Sequence, residues 1–288
     1  MTRYKTAMYY EKMDNNKVRC CICPQKCVIP DSRSGLCRAR KNMHGKLYCM
    51  NYGEISSIAL DPIEKKPLFH FYPGTKILSV GSCGCNMKCS FCQNWSISHD
   101  NPQTIKVTPE LLVNEALEQK NNNCIGIAYT YNEPTIWYEF VYDTSKLAKA
   151  EGLVNVLVTN GFINQEPLEN LLPYIDAMNI DVKAFTPDFY KKICNAKLRD
   201  VKKTVEICAK KCHVEITTLI IPGLNDSIEE IGELAYWLYL INPEIPLHVS
   251  RFFPNYKMCD VTPTPVQTLK NVRAEALKHL KHVYIGNV

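Results

Sequence analysis

Residues 84–94 read GCNMKCSFCQN, so Cys85, Cys89 and Cys92 form a C-x3-C-x2-C loop. Three thiolates this close together must face one point. A [4Fe-4S] cluster needs four ligands, one for each iron, and a loop with three thiolates leaves one iron open for a substrate or cofactor. A zinc loop is the alternative, but structural zinc sites have four ligands, usually in two separated pairs. The spacing therefore favours the cluster over zinc.

The cysteine loop follows the first of six predicted strands. From Lys76 onward, short apolar runs alternate with longer amphipathic segments, which predicts repeated βα units around a parallel sheet. The predicted strands are residues 77–80, 125–130, 154–159, 177–182, 214–221 and 247–250. Six units are fewer than the eight that close a full TIM barrel, so the predicted fold is α/β, a partial (β/α)6 TIM-type barrel. Ligands are expected at the carboxyl ends of its strands.

Residues 1–75 have a different pattern, with cysteines, short apolar stretches and turn residues, and they are predicted to form a Cys-rich N-terminal module before a barrel domain at 76–288. Four cysteines in this module form a second metal-ligating candidate: Cys20, Cys23, Cys27 and Cys37. They could hold zinc or an auxiliary iron-sulfur cluster. The C-x2-C pair with later cysteines and no ferredoxin-like run favours zinc slightly. Cys21 adds an ambiguous ligand.

The composition is that of an ordinary globular protein, with 46% hydrophobic and 22% charged residues among 288. No stretch approaches the roughly 18 apolar residues of a membrane span, and the polar start lacks a signal-peptide core. The expected location is therefore the reducing cytoplasm, where fifteen cysteines indicate metal or cluster ligation rather than disulfides. A formal charge of +5 with scattered Lys and Arg does not indicate nucleic-acid binding.

The cysteine loop, with Phe91 before its last cysteine and a strand before its first, resembles the signature of the radical SAM superfamily. In that superfamily the amine and carboxylate of S-adenosyl-L-methionine chelate the open iron. The turn at 130–134, TYNEP, resembles the superfamily's GGE-type motif. This implies that Asn132 and Glu133 accept hydrogen bonds from the methionyl ammonium; a simple turn before proline is the alternative.

Two further strand ends resemble cofactor contacts of the same superfamily. Thr159 and Asn160 match the position at which its members contact the ribose or carboxylate of the cofactor. Asp181 and Lys183 end the fourth predicted strand, and strand alternation places them on the same side. A lysine there suits the carboxylate of S-adenosyl-L-methionine, whereas a solvated barrel rim is the alternative.

The whole chain resembles the AmmeMemoRadiSam-system radical SAM enzymes, which are related to pyruvate formate-lyase activating enzyme. The resemblance rests on the N-terminal cysteines and on three further stretches: DPIEKKPLFHF at 61–71, IPGLND at 221–226 and HVSRF at 248–252. Two departures from this pattern matter. The arginine that activating enzymes carry before Pro-Gly is missing from EITTLII at 215–221, which weakens the expectation of glycyl-radical activation. The family also tends to continue into a short tail with two more cysteines, and any role of that tail is missing here.

The resemblance implies an oxygen-sensitive oxidoreductase. A one-electron donor such as ferredoxin or flavodoxin reduces the cluster, S-adenosyl-L-methionine is cleaved, and a 5'-deoxyadenosyl radical abstracts hydrogen from a protein, peptide or small molecule. His70 and His248 are candidates for the substrate side, although satisfied core histidines are an equal alternative. Two rival functions are a non-catalytic electron-transfer protein and an RNA-modifying radical SAM enzyme, the second of which lacks a basic patch.

Overall fold

The computed structural model describes residues 4–288. Its strands, in chain order, are β1 Lys5–Thr6, β2 Tyr10–Lys12, β3 Val18–Cys20, β4 Val28–Ile29, β5 Arg40–Met43, β6 Lys46–Cys49, β7 Glu54–Ile55, β8 Ser57–Pro62, β9 Lys76–Gly81, β10 Ile105–Lys106, β11 Cys124–Tyr129, β12 Val154–Thr159, β13 Ala177–Asp181, β14 His213–Ile220, β15 Leu247–Arg251 and β16 Val283–Gly286. Its α-helices are α1 Trp95–Ser98, α2 Pro109–Glu118, α3 Tyr138–Ala150, α4 Gln165–Leu171, α5 Pro187–Phe189, α6 Leu198–Cys208, α7 Ile228–Ile241 and α8 Val266–Ala276.

The main sheet of the described chain has the order β16-β15-β14-β13-β12-β11-β9-β8. Every neighbouring pair is parallel except β8 and β9, which are antiparallel. All six predicted strands are present, and the α/β partial-barrel prediction is confirmed. The sequence does not predict the edge strands β8 and β16, because half of the β8 residues are exposed and β16 has only four residues. The sheet is thus an open arc.

Helices connect the parallel strands in the order that a βα succession requires. Thr108 caps α2 by accepting a hydrogen bond from the Leu111 backbone N–H, and Ser227 caps α7 by accepting one from the Glu230 N–H. Such caps satisfy backbone donors that a helix start leaves unpaired. Within residues 4–288, no helix is sufficiently long and apolar to cross a membrane.

The N-terminal segment packs on the barrel through a buried ion pair. The two terminal nitrogens of Arg40 donate to the two carboxylate oxygens of Glu139 on α3, at 3.0 and 2.8 Å, and both side chains are fully buried. Glu139 also accepts from the Met8 N–H at 2.7 Å. β8 belongs to the main sheet although it precedes residue 76. The division into modules at 75 and 76 stays a prediction.

We expect the change Glu139→Ala to lower the free energy of unfolding by about 3–5 kcal/mol, because it leaves the Arg40 charge buried and unpaired. Anaerobic urea unfolding followed by circular dichroism measures this. The matched control is Asp188→Ala, which removes an exposed pair with Lys192 and should leave the urea midpoint unchanged. Equal midpoints for the two variants would show that the buried pair does not hold the N-terminal segment.

Candidate active site

A cavity of about 350 Å³ lies at the carboxyl ends of the parallel strands. Its wall includes every residue that the sequence predicts for the cluster and the cofactor: Cys85, Cys89, Cys92, Asn132, Glu133, Thr159, Asn160, Asp181 and Lys183. These residues are distant in the chain, and the sheet gathers them because the carboxyl ends of parallel strands meet at one edge. The structure therefore brings the predicted set together, while the role of each member stays a prediction.

The cysteine loop is supported by a π-helical turn at Tyr190–Cys194. The Lys88 N–H donates to the Cys194 carbonyl at 2.8 Å, and the Ser90 N–H donates to the Ile193 carbonyl at 3.2 Å. Turns of this type are rare and often occur at functional sites. The turn fixes the middle of the loop against the barrel, and no motif in the sequence predicted it.

Asn132 joins the turn after β11 to the start of the cysteine loop. Its Oδ1 accepts from the Ser82 N–H at 2.9 Å, and its Nδ2 donates to the Gly84 carbonyl at 3.0 Å. The resemblance implied that Asn132 accepts a hydrogen bond from the cofactor's ammonium. In the structure both ends of its amide bind the backbone before Cys85, so its observed contacts position the loop.

Glu133 is buried and accepts three hydrogen bonds. They come from the Thr135 N–H at 2.9 Å, the Thr159 hydroxyl at 2.8 Å and the Asn160 N–H at 2.8 Å. Burial raises the pKa of Glu133, although these donors favour the ionised form. A carboxylate has about four acceptor positions, so one remains for a cofactor ammonium.

Asn160 reaches the first cysteine of the loop. Its Nδ2 donates to Asn86 Oδ1 at 2.9 Å and lies 3.6 Å from Cys85 Sγ, while its Oδ1 accepts from the Phe162 N–H at 2.9 Å. Hydrogen bonds to the sulfur ligands of an iron-sulfur cluster tune its reduction potential. Asn160 is therefore placed to orient Cys85 and to act on a cluster bound there.

Asp181 and Lys183 form an ion pair on the cavity wall, with 2.6 Å between Oδ2 and Nζ. Burial alone would lower the pKa of Lys183, but the adjacent carboxylate outweighs it and raises the pKa above its ordinary value. The ammonium therefore stays charged. Asn225, in the IPGLND stretch, holds this strand end by donating to the Lys183 carbonyl at 2.7 Å.

Two buried polar atoms on the cavity wall lack partners. Asn179 Oδ1 and Thr217 Oγ1 have no hydrogen-bond partner in the described part of the chain. Buried polar groups are nearly always hydrogen-bonded, so the cavity is built for a polar ligand. Asn179 lies two residues before Asp181 on β13, so strand alternation predicts that both side chains face the cavity. No pattern in the sequence indicated Thr217.

The residues present fit an iron-sulfur cluster with S-adenosyl-L-methionine. Three thiols lie on one part of the wall, an ammonium and carboxylates lie on another, and the unpartnered atoms of Asn179 and Thr217 can bind a polar cofactor. Three thiols leave one iron of a [4Fe-4S] cluster open. This donor set matches a cofactor that carries an amine, a carboxylate and a ribose.

A further part of the wall comes from the DPIEKKPLFHF stretch. Lys65 and Lys66 line the cavity, and Asp61 accepts hydrogen bonds from Lys66 Nζ at 2.8 Å and from the Tyr131 hydroxyl at 2.7 Å. Burial disfavours the ionised carboxylate, but these donors hold the pKa of Asp61 at about 2. The stretch thus adds charge beside the cofactor site.

His70 and His248 lie outside this cavity, near the amino ends of the strands. Both bind around Glu215, which accepts from the His70 N–H at 2.7 Å, the Phe69 N–H at 3.0 Å, the His248 ring at 2.7 Å and the His213 ring at 3.0 Å. Glu215 holds the His248 imidazole, whereas the His70 imidazole contacts the Tyr284 hydroxyl at 2.6 Å. The structure therefore places both imidazoles away from the predicted substrate side.

The N-terminal cysteines line a second, smaller cavity of about 10 Å³: Cys20, Cys23, Cys27 and Cys37. Cys21 lies outside its wall, and its thiol is 3.6 Å from the Arg19 carbonyl. The structure thus gathers the predicted four and leaves the ambiguous fifth apart.

The Radical SAM superfamily matches residues 79–235, and the chain belongs to this superfamily. It is 49% identical over 290 residues to the uncharacterized protein MJ0808 of Methanocaldococcus jannaschii, a match that covers 99% of this chain and 85% of that protein. It is 30% identical over 161 residues to the pyruvate formate-lyase-activating enzyme of Clostridium pasteurianum, covering 53% of this chain and 65% of that enzyme.

Among solved structures, Streptococcus suis SuiB bound to S-adenosylmethionine is similar with a TM-score of 0.57 and 12% identity. The similarity covers 71% of this chain and 48% of SuiB, and it shows a shared fold. The predicted resemblance to radical SAM enzymes related to pyruvate formate-lyase activating enzyme is confirmed.

Glu215 gives the fold an acid-sensitive anchor. Burial opposes its charge, but the hydrogen bonds from His213, His248, His70 and Phe69 lower the pKa of Glu215 from 4.5 to about 2. A lowered carboxyl pKa stabilises the fold above pH 4.5, and this stabilisation is lost as the pH falls towards 2.

We expect Glu215→Gln to lower the free energy of unfolding at pH 7 and to flatten the pH dependence of that free energy between pH 4.5 and 2. Urea midpoints across this range, with exposed Glu118→Gln as the control, measure both effects. A slope unchanged from the parent protein would contradict the expectation.

Proposed function

We propose that this protein reductively cleaves S-adenosyl-L-methionine at a [4Fe-4S] cluster bound by Cys85, Cys89 and Cys92, giving a 5'-deoxyadenosyl radical that abstracts hydrogen from a substrate. The observation that carries the proposal is the single cavity in which these thiols meet Glu133 and Lys183. Membership of the radical SAM superfamily supports it. The cofactor supplies the radical chemistry, and the protein supplies binding and orientation.

The protein's own groups orient the cofactor in this proposal. The Lys183 ammonium attracts the methionyl carboxylate, and the remaining acceptor position of Glu133 receives the methionyl ammonium. Thr159 supports Glu133, and Asn160 holds Cys85 while its backbone completes the Glu133 contacts. The unpartnered Asn179 and Thr217 atoms bind the polar remainder of the cofactor.

The substrate we propose is a protein or peptide, with a small molecule as the alternative. Support comes from the relatives, since the chain is similar to enzymes named for activating pyruvate formate-lyase and to a putative glycyl-radical enzyme activating enzyme of Methanocaldococcus jannaschii.

A ferredoxin or flavodoxin is the proposed reductant, and the cytoplasm is the proposed location. An open iron makes the protein oxygen-sensitive.

The first experiment is an anaerobic assay of the reconstituted protein with S-adenosyl-L-methionine and dithionite. We expect 5'-deoxyadenosine and methionine, detected by mass spectrometry, and their loss in Cys89→Ala because the cluster loses a ligand. Cys259→Ala is the control, since this thiol is exposed and outside both cysteine groups. Absence of deoxyadenosine from protein with an intact cluster would favour the electron-transfer alternative.

We expect Lys183→Ala to weaken S-adenosyl-L-methionine binding about tenfold or more, because a hydrogen bond to a charged group contributes about 1.5–3 kcal/mol. Equilibrium binding to the cluster-loaded protein measures the dissociation constant. Lys192→Ala removes an exposed lysine of the neighbouring turn and should leave affinity unchanged. An unchanged affinity in Lys183→Ala removes this residue from the cofactor site.

A further inference from the structure

The cavity among the N-terminal cysteines is enclosed and mostly apolar. Cys20, Cys23 and Cys37 are each less than 10% exposed. The other side chains around it include Ile22, Ile29, Leu36 and Ile136. Buried cysteines often act only as small hydrophobic residues, but a charged side chain beside these cysteines indicates that the cavity binds a ligand.

The charged side chain beside the cysteines is that of Arg40. Its side chain is fully buried and lines the cysteine cavity, while its terminal nitrogens are bound to Glu139. Its Nε has no hydrogen-bond partner among residues 4–288. It is rare for a buried N–H of a charged group to have no acceptor, because such a group lowers the stability of the fold. Thiolates bound to a metal group would supply the missing acceptor and would be stabilised by the guanidinium.

The placement of the four cysteines favours a cluster over zinc. A structural zinc ion needs its four thiolates to converge at about 2.3 Å from one point. Within the described residues, no three Cys, His, Asp or Glu side chains are placed to hold a single metal ion. Four cysteines that line one cavity without converging on a single point match a cluster in which each thiolate binds a different iron.

The position of this cavity relates it to the first cysteine loop. Asn86, which follows Cys85, lines the cavity, and Gln25 donates to the Asn86 carbonyl at 3.0 Å. Gly84 packs so closely on the Cys37 carbonyl that a Cβ atom there would clash with its oxygen. The two cysteine groups therefore share a wall.

We propose that Cys20, Cys23, Cys27 and Cys37 bind a second [4Fe-4S] cluster rather than zinc. Four thiolates on four irons leave no iron open, so this cluster carries single electrons and does not bind S-adenosyl-L-methionine. It can receive them from the same one-electron donor protein that reduces the first cluster. The proposal concerns metal content and does not depend on cleavage of the cofactor.

The test uses the full chain with Cys85, Cys89 and Cys92 all changed to Ala, purified anaerobically from cells supplied with both iron and zinc. We expect about four irons and four sulfides per chain, and a paramagnetic signal after reduction with dithionite. About one zinc per chain without iron, or no metal at all, would overturn the proposal.

The unmodified protein keeps the test decisive if the triple variant does not fold. It should contain about eight irons and no stoichiometric zinc, falling to about four irons in Cys20→Ser. Cys212→Ser, a half-buried thiol outside both groups, should keep about eight. About four irons with one zinc would overturn this inference alone. About eight irons with no deoxyadenosine would overturn the proposed function alone.

Discussion

The rest of the site depends on the buried carboxylate of Glu133. It joins the ends of two parallel strands, because it follows β11 and accepts hydrogen bonds from Thr159 and Asn160 at the end of β12. Burial of this charge is unfavourable unless donors surround it, and three do. With the backbone fixed in this way, the Asn160 side chain reaches Cys85. The position of Cys85 is thus linked to a carboxylate about fifty residues further along the chain.

A second constraint couples the N-terminal cysteines to the barrel. Arg40 binds Glu139 of α3 with its terminal nitrogens, and its side chain also lines the cysteine cavity. One side chain therefore joins the barrel to the wall of the cysteine cavity. A buried ion pair adds little stability over an apolar pair of the same shape, but its loss is costly. Its main effect here is to fix the cysteine cavity against the barrel, next to the loop of the first cluster.

The residues that the sequence predicts for the cluster and the cofactor do line one cavity, because the information that identifies them is local. Three thiols within eight residues define a cluster loop, and alternation places Asp181 beside Lys183 without knowledge of the fold. Contacts between distant segments carry no local signal. Arg40 and Glu139 are 99 residues apart, and the π-helical turn lies about a hundred residues beyond the loop that it contacts. The histidines show the same limit, since their partner Glu215 could not be inferred from spacing.

The arginine missing from the strand before Pro-Gly can be understood from the cavity wall. On β14 the wall-forming residues are Thr217 and Leu219, and among the described residues no arginine lines the cavity. Positive charge comes instead from Lys183 after the neighbouring strand β13 and from Lys66. Because Asp181 keeps Lys183 charged, a cofactor carboxylate can be bound there without the arginine. In the proposed cofactor site the cation thus follows β13 instead of lying on β14, and the unpartnered Thr217 hydroxyl on β14 faces the same cavity.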